Sequence, residues 1–123
     1  MEINQISGIV INAAMKVHTA LGPGLLESAY EACLIYELRK HGFDVKAQLP
    51  LPVRYEGVKI DIGYRIDLLV NDTVIVELKT VERLLPVHQA QLLSYLKLSG
   101  KRAGLLINFH VSHLRDGIKR LVN

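Results

Sequence analysis

The chain has 123 residues, which at about 150 residues per domain predicts a single domain over residues 1–123. Half of the residues are hydrophobic and 22% are charged, so the composition excludes global disorder. Lysine and arginine number 15 against 12 acidic residues, and the net charge of +3 allows a polyanionic partner without requiring one. The one cysteine, Cys33, excludes an intrachain disulfide framework and a multi-cysteine zinc site.

The sequence shows no sign of membrane targeting. No apolar run approaches the roughly 18 residues that a membrane-spanning helix needs. The first residues lack the basic character of a signal peptide. We therefore expect a cytoplasmic protein without a membrane partner.

Two helices are predicted in the first third of the chain. Apolar residues recur at i, i+3, i+4 and i+7 over Ile3–Val17, the pattern of an amphipathic helix. The Gly22–Gly24 segment then interrupts this pattern. A second helix is predicted over Leu25–His41, ended by Gly42.

After this glycine the apolar pattern changes to a period of two, which predicts strands. Two prolines mark an edge or a bend after the first strand, because proline cannot donate to a sheet. The predicted segments are Phe43–Leu49, an alternating stretch over Leu51–Ile62 with a turn at Glu56-Gly57, and two strands over Tyr64–Val70 and Val74–Lys79.

The last third predicts a helix, a strand and a final short helix. Pro86 suits the first position of a helix, which should end at Leu98 or Ser99. The unbroken apolar run Arg102–Phe109 is typical of a strand covered on both faces. Ser112 can cap a last helix, whose apolar side would carry Leu114, Ile118 and Leu121. This order predicts an α/β fold with a mixed central sheet flanked by helices.

Burial predicts the register of the hairpin over Tyr64–Lys79. Apolar residues alternate along both of its strands, and both sets can face one core in only one alignment. In that alignment Leu68 lies opposite Val76, and Ile66 lies opposite Leu78.

The same register places Asp67 opposite Glu77 on the other face, with Lys79 two residues further along. A two-residue turn at Asn71-Asp72 would shift the register by one residue and separate the carboxylates. We therefore expect a longer loop that includes Thr73, or a bulge.

Two carboxylates that meet on a mainly apolar sheet repel each other and lose hydration, so a cation between them would stabilise their charges. Carboxylate oxygens favour magnesium, manganese or calcium over zinc. The alternative is structural: Asp67 or Glu77 pairs with Lys79 or Arg65 in a cross-strand salt bridge on a solvated face.

The pattern of Asp67, nine residues, Glu77-Leu78-Lys79 and a following helix resembles the PD-(D/E)-x-K nuclease superfamily. The start of the second helix sharpens this resemblance, since it carries Gly-x-x-Glu-x-x-Tyr, the signature of the GxxExxY family within that superfamily, at Gly24, Glu27 and Tyr30. The similarity extends over nearly the whole chain from about Ile6, including residues 17–27, 87–96 and 104–123. It implies a restriction-endonuclease-like core.

The resemblance also implies roles for individual residues. Asp67 and Glu77 would bind the metal, Mg²⁺ or Mn²⁺, together with the backbone carbonyl of Leu78 and Glu27, and Lys79 would be the catalytic lysine. The remaining site residues would come from a Gln-x-x-x-Tyr motif on the third helix, at Gln91 and Tyr95. The sequence departs from the superfamily name at Ile66, which stands in place of the proline.

Several of these residues also have structural interpretations. Glu27 begins a helix, where the helix dipole favours a carboxylate, and Tyr30 can pack in the core with its hydroxyl hydrogen-bonded. The third-helix motif can be an ordinary polar face shared with His88. A lone helical histidine such as His18 is more often structural. His110 and His113 have no further ligands nearby in the sequence, so we expect no zinc there.

The most direct interpretation is a metal-dependent nuclease acting on DNA or RNA. The alternative is a catalytically silent module that binds nucleic acid or a protein partner; retention of both acids and the lysine favours catalysis. A small-molecule enzyme is a distant third. So short a chain has little surface for sequence recognition, so a homodimer or a partner would supply specificity. A basic docking surface near the C-terminus would use Lys97, Lys101, Arg102, Arg115, Lys119 and Arg120.

Overall fold

The computed structural model describes all residues from Met1 to Asn123 and begins with two helices. Helix α1 covers Ile3–Leu21, and helix α2 covers Glu27–Lys40. Both predicted helices are confirmed, although α1 continues past Val17 until Gly22, whose φ of +70° ends it. None of the helices is both long and apolar enough to cross a membrane.

The centre of the fold is a mixed five-stranded sheet. Its strands in chain order are β1 (Val45–Pro50), β4 (Arg65–Val70), β5 (Val74–Lys79), β6 (Ala103–Asn108) and β7 (Ile118–Val122). They lie side by side in this same order. Only β5 and β6 run parallel, joined by helix α3 over Pro86–Ser99; the other neighbours are antiparallel. The fold is therefore the predicted α/β architecture, consistent with a PD-(D/E)XK nuclease-like core.

A separate two-stranded sheet lies between β1 and β4 along the chain. It consists of β2 (Val53–Tyr55) and β3 (Val58–Ile60), which pair in antiparallel fashion. Glu56 and Gly57 form the turn with positive φ angles of 50° and 77°. This confirms the turn predicted between the two short alternating segments.

Helices cover both faces of the central sheet. On one face, α1 and α2 pack against Leu68, Val76 and Leu105 in the larger hydrophobic cluster. On the other face, α3 packs against Ile75 and Leu106 in the smaller cluster. All six residues of β6 are buried, which confirms the prediction of a strand covered on both sides.

The register predicted for the β4–β5 hairpin is confirmed along its paired residues. Leu68 pairs with Val76, and Val70 pairs with Val74 across a three-residue loop that includes Thr73. Ile66 differs from the prediction, because it lies in the α3-side cluster and not with Leu68. The β4–β5 ladder ends at Leu68, and although β4 stays paired with β1 through Ile66, the facing Gln48 has a φ of +53°, so the regular alternation of faces is broken at this point.

The predicted final helix is wrong. A short 3-10 turn covers Leu114–Gly117, and the chain then forms β7 along the edge of β6. Pairing with β6 satisfies the backbone groups of a buried strand that would otherwise lack a second neighbour, and this tertiary demand outweighs the weak helical spacing. The turn also needs Gly117, since a Cβ there would lie 2.4 Å from the Asn108 carbonyl oxygen.

Candidate active site

The candidate site lies where the β4–β5 ladder ends. Beyond the Leu68–Val76 pair, each carboxylate accepts a hydrogen bond from a backbone amide of the facing strand. The Asp67 N–H donates to Glu77 Oε2 at 2.8 Å, and the Leu78 N–H donates to Asp67 Oδ2 at 2.8 Å. The structure therefore brings Asp67 and Glu77 together, with each side chain binding the other strand's backbone.

Glu77 occupies an unusual environment for a carboxylate. It is only 4% exposed, and burial together with the neighbouring Asp67 charge raises its pKa from 4.5 to about 8. The amide of Asp67 and the ammonium of Lys79 oppose this rise without cancelling it. At neutral pH Glu77 therefore holds a proton unless a cation offsets its charge.

Glu27 reaches the same site from the first turn of α2. Partial desolvation raises its pKa, and the charges of Asp67 and Glu31 raise it further, while Lys79 lowers it. Glu27 is thus within electrostatic range of Asp67 and Lys79, although it remains exposed.

Tyr30 positions this end of α2. Its hydroxyl donates to the Gly22 carbonyl and accepts from the Leu25 N–H at 3.1 Å. Its ring is fully buried and stacks on Phe109 at 4.4 Å between centroids. The core interpretation of Tyr30 is therefore observed, and its effect is to fix the turn that precedes Glu27.

Sequence reasoning missed Gln48. The β1–β4 register places it opposite Asp67, and its φ of +53° interrupts the regular strand at that point. Its side-chain amide donates to Glu31 Oε1 at 2.8 Å and to Asp67 Oδ1 at 3.4 Å. No local signal identifies this residue, because a glutamine in an alternating strand looks like an ordinary solvated position.

Lys79 is the last residue of β5 and is half-buried. The chain after it is held by Asn108, which is 1% exposed. The Asn108 amide accepts from the Val81 N–H at 3.1 Å and donates to the Val81 carbonyl at 2.8 Å. A polar residue at the end of the apolar β6 strand, directly before Phe109, is a sequence signal that could have identified this anchor, since buried polar groups need partners.

The alternative of a cross-strand salt bridge is not observed. The ion pairs of the structure join Lys16 and Lys40 to Glu37, and Lys101 to Asp72. Lys79 and Arg65 therefore remain free of direct ion pairs with Asp67 or Glu77.

Of the two residues of the third-helix motif, only Tyr95 lies close enough to be affected by the carboxylates. Tyr95 is 6% exposed, and burial followed by the charge of Glu77 raises the pKa of its hydroxyl. Its ring lies 5.9 Å from that of Tyr64. Gln91, one turn earlier, lines a shallow groove with these two tyrosines but makes no hydrogen bond to the carboxylates.

The histidines are used elsewhere in the fold. The His88 Nδ1 accepts from the Leu85 N–H at 2.9 Å at the start of α3. His18 Nε2 bonds to the Val111 carbonyl at 2.8 Å, which ties α1 to the C-terminal loop. His110 and His113 take part in no metal-ligand cluster.

The residues fit a hard divalent cation, although no three acidic, histidine or cysteine side chains form a ready-made cation site. Asp67 Oδ1 and Glu77 Oε1 are the carboxylate oxygens that no backbone amide holds. A buried acid facing a second carboxylate is electrostatically suited to a cation, and an all-oxygen donor set suits Mg²⁺ or Mn²⁺. A complete set of metal ligands would also require Glu27 or the Leu78 carbonyl.

Comparison with known proteins identifies the superfamily of the chain. A family model described as the PD-(D/E)XK nuclease superfamily matches residues 4–121. No curated protein and no solved structure matches the chain. Since the family match covers nearly the entire sequence, the chain belongs to the PD-(D/E)XK nuclease superfamily.

Proposed function

We propose that this protein is a divalent-metal-dependent nuclease of the GxxExxY family that hydrolyses phosphodiester bonds in DNA or RNA. The observation that carries the proposal is the pairing of Asp67 with the buried Glu77, whose pKa of about 8 indicates a site in need of a cation. Lys79 follows on the same strand, two residues from Glu77.

In this proposal Asp67 and Glu77 hold Mg²⁺ or Mn²⁺, with the Leu78 carbonyl and Glu27 as further ligands. When bound, such an ion supplies a Lewis acid for the scissile phosphate and lowers the pKa of a water. Gln48 keeps the Asp67 carboxylate oriented through its amide contact at 3.4 Å.

Lys79 orients the attacking water or stabilises the charge that develops on the phosphoryl group. Its freedom from ion pairs leaves the ammonium available for that role. Tyr95 borders the carboxylates and limits the entry of bulk water, and Gln91 extends the same helix face toward the substrate. A cytoplasmic location, a single domain over residues 1–123, and a homodimer or protein partner that supplies specificity belong to the same proposal.

The test uses labelled single- and double-stranded DNA and RNA, with Mg²⁺, Mn²⁺ or EDTA. We expect the wild type to cut at least one substrate with a metal and none in EDTA. Lys79→Ala should cut about 10²- to 10³-fold more slowly, the usual cost of losing one preorganised electrostatic group. Lys46→Ala, a change at an exposed lysine of β1, is the matched control and should cut normally.

Two results would contradict the proposal. Cleavage by Lys79→Ala at the wild-type rate would show that the lysine has no catalytic role. Wild-type protein that cuts none of the four substrates with either metal would instead support the catalytically silent module that binds nucleic acid or a protein.

A further inference from the structure

The hairpin formed by β2 and β3 projects from the fold with little support. It belongs to neither hydrophobic cluster. Its neck is closed by the Leu51 N–H, which donates to the Tyr64 carbonyl at 2.8 Å. An isolated two-stranded hairpin is only marginally stable in water, so a partner that covers it would stabilise it.

The two faces of the hairpin differ in chemistry. Val53 pairs with Ile60 and Tyr55 with Val58, so one face is apolar. Tyr55 and Val58 on that face are 65% and 57% exposed. The opposite face carries one cross-strand pair, Arg54 and Lys59, while the exposed acidic residues Glu56 and Asp61 lie in the turn and directly after β3.

Arg54 and Lys59 are an unfavourable pair within the protein itself. They lie directly opposite each other, both are exposed, and neither takes part in an ion pair. Like charges in directly opposed positions destabilise a hairpin. Phosphates bound along this face would offset the repulsion between the two positive charges.

The hairpin is also an extension of the strands that carry the site. Arg65, the first residue of β4, lies two residues before Asp67. It pairs with Pro50 at the end of β1. Lys59 is eight residues from Asp67. At about 3.3 Å per residue this limits their separation to about 26 Å, or about eight base pairs at about 3.4 Å each. A nucleic acid of about eight base pairs or more is therefore long enough to reach from one to the other.

We propose that the basic face of the β2–β3 hairpin binds the phosphate backbone of the nucleic acid that lies across the candidate active site. This inference rests on the proposed nuclease function and adds the surface that holds the substrate. It differs from the docking surface predicted near the C-terminus, where Lys101 is already engaged by Asp72 at 3.1 Å and Arg120 is bonded to Asn4.

The test compares nucleic-acid binding by two double variants, each measured by fluorescence anisotropy on labelled DNA and RNA of about 20 nucleotides. Arg54→Ala with Lys59→Ala removes the hairpin charges. Lys40→Ala with Lys46→Ala removes two exposed charges at the end of α2 and on β1, outside both basic surfaces, and is the matched control. All four residues are exposed, so both variants should fold, which thermal unfolding will check.

We expect the hairpin variant to bind about tenfold or more weakly and its salt slope on duplex DNA to fall by about 1.8, since each phosphate contact contributes about 0.9. The control should stay within about twofold of wild type. Unchanged binding by the hairpin variant, or an equal loss in the control, would overturn the proposal. Failure of the wild-type protein to bind either DNA or RNA would also overturn the proposal.

Cleavage assays separate this proposal from the nuclease proposal. If the wild type cuts and the hairpin variant binds and cuts equally well, the nuclease function stands and the hairpin role fails. If binding depends on the hairpin but nothing is cut, the hairpin role stands and the nuclease function fails. Should Tyr55→Ser with Val58→Ser instead dissociate a dimer while Arg54 and Lys59 prove irrelevant to nucleic acid, the hairpin is a protein-docking surface and the proposal is wrong.

Discussion

Glu77 combines two properties that conflict within a metal-free protein. Its Oε2 accepts a hydrogen bond from the Asp67 amide, yet the side chain is almost fully buried beside a second carboxylate. The folded protein therefore retains the Glu77 proton up to a pH of about 8, whereas the unfolded chain releases it near 4.5. Folding is consequently linked to pH at this residue.

The sign of this linkage gives a prediction for Glu77→Gln in EDTA. Between pH 4.5 and about 8 the folded wild type binds more protons than the unfolded chain, so its stability falls as pH rises. The glutamine cannot ionise and avoids this loss. We expect the variant to match wild type near pH 4.5, to gain on it by up to about 1.4 kcal/mol per pH unit between pH 4.5 and about 8, and to gain no more above that range. Urea unfolding at several pH values measures the difference.

Glu37→Gln provides the control of opposite sign. Hydrogen bonding by Lys16 lowers the pKa of Glu37, so its stabilisation is present at neutral pH and is lost as the pH falls through the folded pKa. This variant should be less stable than wild type at neutral pH. A stability difference between Glu77→Gln and wild type that does not change with pH would contradict the assigned environment of Glu77.

At the scale of elements, the start of α2 depends on Tyr30. Helix α2 has no side-chain hydrogen bond at its N-cap residue, Leu26. The Tyr30 hydroxyl instead reaches back to Gly22 and Leu25, while its ring packs on Phe109 beyond the end of β6. One buried side chain thus joins the first turn of α2, the preceding loop and the end of the sheet.

Tyr30→Phe removes the hydroxyl and keeps the ring. We expect a loss of about 1–2 kcal/mol in the free energy of unfolding, because the Gly22 carbonyl and the Leu25 amide lose a partner in a partly buried region. Tyr36→Phe is the matched control, since Tyr36 is 65% exposed, and should cost almost nothing. Equal effects of the two substitutions would show that the Tyr30 hydroxyl does not stabilise the loop.

The elements best predicted from the sequence are those whose pattern of apolar residues reflects burial alone. The Leu68–Val76 register follows from alternating apolar residues, and it brings Asp67 to Glu77. The β7 strand was not predictable in this way, because it forms to pair with β6 and its own residues are mostly exposed. Gln48 likewise depends on a positive φ and on a partner strand distant in sequence.

At the scale of the whole molecule, charge is unevenly distributed. The net charge is +3, but the candidate site gathers the carboxylates of Glu27, Glu31, Asp67 and Glu77 around one lysine. Phosphates approaching this site without a divalent cation meet negative charge. Attraction must then come from basic side chains elsewhere on the surface, which predicts binding that weakens steeply with salt.

This arrangement predicts an unusual effect of Asp67→Asn on nucleic-acid binding. In EDTA the substitution removes one repulsive charge, and a unit charge about 4 Å from a phosphate costs about 1 kcal/mol in water, so binding should tighten about fivefold. With Mg²⁺ this advantage should disappear, because the variant has lost a carboxylate of the proposed metal site. High salt should reduce the gain, since exposed charges are screened. Asp116→Asn removes the same charge from an exposed residue of the 3-10 turn and serves as control. If both variants tighten binding equally, only net charge matters, and the acidic site does not face the bound phosphates.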